Sequence, residues 1–168
     1  RQVMSAIEQL LKDVNWTNLD FLIIDMPPGT GDAQLTLSQR VQLSGAIIVS
    51  TPQDLSLIDA RKGLNMFKKV NVPILGIIEN MSYFECHNCN TRHEIFGSGG
   101  AEVEAEKLGV TFLNAIPLNI SLRVTSDEGK PIVHKEPNNS ISKKYMEIGS
   151  KILNFIENNR KQSPQIIQ

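Results

Sequence analysis

Leu19-Asp20-Phe21-Leu22-Ile23-Ile24-Asp25 is a short, nearly continuous apolar run that closes on an acid, and Met26-Pro27-Pro28-Gly29-Thr30-Gly31-Asp32 follows it as a Pro/Gly-rich loop. A run of this length without polar alternation predicts a strand buried on both faces, the kind found in parallel sheets. Residues 46–50, 73–79 and 110–116 repeat the pattern, the last ended by Pro117. Helical patterns lie between and around these runs. Ile7, Leu10, Leu11 and Val14 share helical spacing over residues 3–14, and further helices are predicted at 33–41, 54–70, 99–108 and 140–158. Asp54 is placed to cap one of them, and Gly109 to stop another. Alternation of this kind predicts an α/β fold, a doubly wound, mostly parallel sheet with helices on both faces and right-handed βαβ crossovers. With no internal repeat, low-complexity segment or linker, we expect one domain over residues 1–158. An irregular cysteine-bearing insertion occupies 83–97, and a polar, frayed tail 159–168.

The composition narrows the function. The chain has 168 residues, 40% of them hydrophobic, which suits one ordinary domain with a real core. Seventeen Lys and Arg balance 18 Asp and Glu, and no basic stripe stands out, so no nucleic-acid partner is expected. No apolar run nears the ~20 residues that span a bilayer, so no membrane insertion is expected. The two cysteines do not make a secreted disulfide framework, which favours a reducing compartment.

In open parallel sheets, ligands bind beyond the carboxyl ends of the strands, and Asp25 is predicted at such an end. An Asp after four apolar residues has the form of a Walker B acid, which holds magnesium beside nucleotide phosphates. Gly29 and Gly31 let the backbone approach a phosphate and change conformation between states. Asp32 is placed to orient an attacking water or hold a magnesium-bound one. The competing reading is that Asp25 caps the next helix; the whole string favours a nucleotide switch loop. No Gly-x-x-x-x-Gly-Lys-[Ser/Thr] occurs in the sequence, and Gly97-Ser98-Gly99-Gly100 lacks the lysine. These residues alone are therefore expected to bind ATP poorly or not at all.

Cys86-His87-Asn88-Cys89 holds both thiols of the chain. Such a pair grips one side of a metal or cluster, closes a local disulfide or works as a redox pair. Its turn-forming neighbours Glu85, Asn88, Asn90 and Thr91 disfavour a thioredoxin-like role, where the motif opens a helix. Zinc or a four-iron cluster usually takes four protein ligands. The shortfall is met either by histidines, with His93 better spaced than His87, or by a second copy of the chain. Ligand type does not decide between the two. Asn80 by itself reads as a turn asparagine, Arg61 and Lys62 as a solvated helix face or a contact with a partner subunit, and His134, after a strand-like Pro131-Ile132-Val133, has no evident role.

Residues 22–32 together resemble the switch II segment of Mrp-type iron–sulfur carrier ATPases, a branch of the deviant P-loop NTPases related to MinD and ParA. The likeness continues through Ser50-Thr51-Pro52-Gln53-Asp54, Asp59-Ala60-Arg61-Lys62-Gly63 and Glu79-Asn80-Met81-Ser82-Tyr83-Phe84. It also takes in Cys86-x-x-Cys89, Ile95-Phe96-Gly97, Ile116-Pro117-Leu118 and Ser126-Asp127-x-Gly129-Lys130-Pro131. It spans about residues 1–155 and is nearest the bacterial and mitochondrial (Ind-type) branch.

The resemblance implies an ATP hydrolase that carries a [4Fe-4S] cluster and hands it to apo-proteins. The cluster would be shared across a homodimer by Cys86 and Cys89 of each copy. It implies ATP with magnesium in the complete protein, Asp25 as the Walker B acid, Asn80 reading the adenine edge, and backbone near Pro117 on the other side of the base. The implied compartment is bacterial cytoplasm or mitochondrial matrix. The family's N-terminal strand, its lysine-bearing P-loop and its switch I acid have no counterpart here, so a portion of a longer protein or a truncated gene product, without ATPase activity of its own, is expected. Two other classes compete: a non-catalytic zinc-binding interaction domain left after loss of the P-loop, and a MinD/ParA-like positioning ATPase. The second needs no Cys-x-x-Cys and in MinD-type proteins ends in a basic amphipathic helix, which residues 163–168 are not.

Overall fold

The computed structural model describes residues 9–11, 13–26, 29, 31–86, 88–89 and 91–160, with backbone alone for Asp32, Ala33 and Arg160. Elements follow in the order α1 (Asp32–Arg40), β1 (Ala46–Ser50), α2 (Asp54–Lys69), β2 (Ile74–Glu79), β3 (Phe84–Glu85), β4 (Arg92–His93), α3 (Gly100–Leu108), β5 (Phe112–Ala115), α4 (Ile120–Asp127), α5 (Ile132–Lys135) and α6 (Ser140–Arg160). β1, β2 and β5 form a parallel sheet with β2 in the middle. β3 and β4 form a separate antiparallel hairpin.

Successive side chains of a strand point to opposite faces, so each apolar strand feeds two cores. On one face Ile48 and Ile77 meet Leu57, Ala60, Leu64 and Phe67 of α2 and Ala101 and Ala105 of α3. On the other, Ile47, Ile78 and Leu113 meet Ile148 and Ile152 of α6 and Leu122 of α4. Each fully buried Leu or Ile contributes about 1.5–3 kcal/mol of transfer free energy. Helices therefore cover both faces of a parallel sheet, as the doubly wound reading requires. Gly109 stops α3 in the left-handed conformation (φ 64°), where a Cβ would be strained.

Four local expectations need correction. Residues 19–25 do not form a strand. Leu19, Phe21 and Leu22 are exposed and Ile23 is 82% exposed. Apolar composition predicts burial, but a strand also needs a partner edge within about 4.8 Å. Met26 and Gly29 instead face Ile47, Ile48, Val49 and Ser50 across an open cavity. Residues 131–133 do not read as a strand either, because Ile132 opens the short helix α5 with its side chain buried. Asp54 is the first residue of α2; Gln53 is its N-cap and makes no side-chain cap bond. The insertion at 83–97 is not wholly irregular, because it contains the β3–β4 hairpin. A helix absent from the expectations, α4, starts where Asn119 Oδ1 accepts from the Leu122 N–H at 3.1 Å. Most of the expected helix over 3–14 lies outside the described residues. No helix among the described residues is long and apolar enough to cross a membrane.

Candidate functional site

Two groups of sequence-selected residues meet at the carboxyl ends of the strands. The first surrounds a cavity of about 580 Å³. Met26 and Gly29 form one wall, the outer edge of β1 through Ser50 and Thr51 another, and Ser56, Asp59, Lys62 and Gly63 of α2 a third, with Asn80 at the end of β2. Gly29 has φ 93°, a backbone setting that favours glycine and lets the loop turn toward the cavity. Asp25 is exposed, one residue before this wall, and Gly31 is the N-cap of α1. Asp32 is the first residue of α1. Pro27, Pro28 and Thr30 lie outside the described residues.

Asn80 and Pro117 are held at the same end of the sheet. The Ile116 N–H donates to the Glu79 carbonyl at 2.8 Å, and the Ser82 N–H donates to the Ile116 carbonyl at 3.0 Å. The Asn80 N–H donates to the Ser50 carbonyl at 2.7 Å, and its Oδ1 accepts from the Met81 N–H at 3.0 Å. That side-chain bond fits the turn role the residue type suggests, while its position fits the cavity. Pro117 is buried.

The second group is the hairpin. Cys86 leaves β3 half-buried and Cys89 is exposed at the tip; both thiols are free. The Cys86 N–H donates to the Thr91 carbonyl at 3.0 Å, closing the tip. Cys89 Sγ lies 3.2 Å from Thr91 Oγ1. The Thr91 hydroxyl, its backbone and the Cys86 side chain, in that order, hold the Cys89 thiol below its ordinary value. Arg92 stacks its guanidinium 4.0 Å above the Tyr83 ring centre, and the rings of Phe84 and His93 lie 6.4 Å apart, which stiffens the stem. Among the described residues, no three His, Cys, Asp or Glu side chains come together to hold a metal. His87 lies outside the described residues. Among the described residues, the cysteine pair offers a four-ligand centre two thiols, half of what a cluster takes.

Residues given no role in the site by the sequence join these groups. Lys62 Nζ pairs with Asp59 at 2.9 Å on the cavity wall. Arg61, read as a solvated face, grips Glu104 of α3 through Nε at 2.5 Å and through Nη2 at 3.0 Å. Glu79 is buried under the hairpin. Its signal was in plain view: it is the acid that ends the apolar run Ile74-Leu75-Gly76-Ile77-Ile78, the same pattern that drew attention to Asp25.

A parallel α/β sheet with its glycine loop, cavity and strand-end asparagine on one edge belongs to the P-loop NTPase class of folds. The solved nucleotide-binding protein of Archaeoglobus fulgidus in complex with ADP superposes with a TM-score of 0.72 at 40% identity, covering 83% of this chain and 56% of that one. The Pyrococcus furiosus cell division ATPase MinD shares the fold, with a TM-score of 0.65 at 23% identity. The family profile described as ParA, NUBPL iron-transfer P-loop NTPase, matches residues 1–153. The chain belongs to this NUBPL-type family of iron-transfer P-loop NTPases. An iron-sulfur cluster transfer protein NUBPL of Dictyostelium discoideum is 52% identical over 92% of the chain and 48% of its own length. An Arabidopsis thaliana iron-sulfur protein required for NADH dehydrogenase, mitochondrial, is 48% identical over 99% of the chain and 53% of its own length. The iron-sulfur cluster carrier protein of Haemophilus influenzae is 51% identical over 88% of the chain and 40% of its own length. The chain spans about half the length of the curated relatives it matches.

Proposed function

We propose that the chain is part of an ATP-dependent iron–sulfur carrier that binds a [4Fe-4S] cluster as cargo and passes it to apo-proteins. The observation that carries this reading is the pair of free thiols at the tip of a stiffened hairpin, beside the strand ends of a P-loop NTPase fold. Two thiolates satisfy half of a four-iron cluster, so a second copy of the chain supplies the other two and the cluster sits between the copies. An exposed tip with a lowered Cys89 thiol suits both capture and release, because the thiolate is the ligand and the site opens to a recipient.

The domain is proposed to occupy residues 1–158. Asp25 and Asp32 are proposed to hold magnesium and its water, Gly29 and Gly31 to approach the phosphates, and Asn80 and the backbone near Pro117 to flank the adenine. The cavity volume lies within the ~300–1,000 Å³ usual for small-ligand sites. The sequence has no lysine-bearing glycine loop to cradle phosphates, and we expect the chain by itself to be inactive as an ATPase. Nucleotide state in the complete protein would reset the 25–32 loop and the interface that holds the cluster. A mitochondrial matrix or bacterial cytoplasmic setting is proposed, in keeping with one relative named as mitochondrial and another from a bacterium.

Anaerobic reconstitution with iron and sulfide tests the reading. Wild-type protein should hold about four iron and four sulfide per two chains, and Cys86→Ser and Cys89→Ser should each lose the cluster. Unchanged cluster content in either variant would contradict it. One zinc per chain without labile sulfide would support the zinc-binding interaction domain instead.

A further inference from the structure

Glu79 ends β2 with its side chain 1% exposed. Its Oε1 accepts from the Ser82 hydroxyl at 2.5 Å and from the Gly99 N–H at 3.0 Å, and its Oε2 accepts from the Ala101 N–H at 2.8 Å. Among the described residues it takes part in no ion pair; its partners are neutral donors. Ser82 and Gly99 are the two feet of the insertion that carries the cysteines, and both rest on one oxygen. Ala101 lies in the first turn of α3, whose N-cap Gly99 brings no side chain, so Glu79 caps this helix from another element. The Ser82 foot has two further ties, its N–H donating to the Ile116 carbonyl at 3.0 Å and the Leu118 N–H donating to the Tyr83 carbonyl at 2.7 Å. The Gly99 foot is fastened by Glu79.

Resting on the reading above, we propose that Glu79 is a positioning residue: its one buried carboxylate closes the base of the Cys86/Cys89 hairpin and fixes the two thiols relative to the end of β2. Asn80 is the next residue, and its N–H is tied to Ser50 on the cavity wall, so hairpin and cavity share one anchor. Only an acceptor-only group suits this place. An ionised carboxylate offers two accepting oxygens to three donors, whereas an amide of the same size turns one oxygen into a donor facing another donor. A buried donor left without its acceptor loosens whatever it was holding.

Glu79→Gln and the milder Ser82→Ala test this in the chain. Amide exchange of the metal-free protein comes first. Residues 84–98 should exchange roughly ten- to a hundredfold faster in Glu79→Gln, and a few-fold faster in Ser82→Ala. β1, β2 and β5 should keep their protection. After reconstitution, both variants should start with wild-type cluster content, show an altered visible circular dichroism of the cluster, and lose it to a chelator faster. Unchanged hairpin exchange in both variants, or equal acceleration of hairpin and sheet, would overturn the positioning role. If Glu79→Gln does not fold, Ser82→Ala decides alone. Wild-type protein that accepts no cluster would refute the carrier reading, while the metal-free exchange still decides the role of Glu79.

Discussion

Thr91 Oγ1 stands 3.2 Å from Cys89 Sγ at the exposed tip of the hairpin, and this contact sets the chemistry of one thiol. In the neutral thiol the S–H donates to Thr91. Once the thiol ionises the direction reverses, and the Thr91 O–H donates to the thiolate, stabilising the charged form. Alkylation follows the thiolate fraction, so Cys89 should react with iodoacetamide at a pH midpoint below that of an ordinary exposed thiol. Thr91→Val removes the largest of the lowering contacts and should move that midpoint up. A midpoint that stays put in Thr91→Val, followed by mass spectrometry of the Cys89 peptide, would show that the hydroxyl does not govern the thiol.

The Arg61–Glu104 pair joins α2 to α3 through two hydrogen bonds, with the Glu104 side chain 5% exposed and that of Arg61 47% exposed. Removing Arg61 strands a buried carboxylate, while removing both partners does not. Arg61→Ala should destabilise the fold by about 1.5–3 kcal/mol in urea titration, the range for losing hydrogen bonds to a charged group. The double variant Arg61→Ala/Glu104→Leu should recover part of that loss. Equal loss in the double variant would mean that the cost lies elsewhere, such as the packing of the arginine stem.

Ile23 distinguishes the sequence reading from the structure. A strand buried on both faces would make Ile23→Ser cost several kcal/mol. With Ile23 82% exposed, the substitution should shift stability by less than about 0.5 kcal/mol. Chemical denaturation of the chain measures the difference directly.

Particular residues explain what the sequence made legible. Ile47 and Ile48, like Ile77 and Ile78, are consecutive apolar residues, and only a sheet covered on both faces uses both members of such a pair; the doubly wound fold was readable from them. The run at 19–25 has the same composition but no paired edge beside it, and pairing is a property of neighbours that composition does not carry. The cysteine pair was legible because thiols are scarce and their spacing has chemical meaning. Glu79 and Glu104 were not, because an acid in a sequence is solvated by default. Their roles come from partners such as the Gly99 N–H, twenty positions from Glu79, and Arg61, forty-three from Glu104, brought close by the packing of α3 against β2 and against α2. Residues 131–133 misled because β-branched residues after a proline look extended. Burial of Ile132 beneath α6 turns them into a helical turn instead.

The central claim is that the two thiols of one chain are half of a site completed by a second chain. Native mass spectrometry of anaerobically reconstituted protein tests it most directly. The account predicts a species of two chains carrying one four-iron, four-sulfide cluster, which dissociates to cluster-free single chains when both cysteines are replaced by serine. A single chain holding a complete cluster or one zinc ion, with no two-chain species, would contradict it.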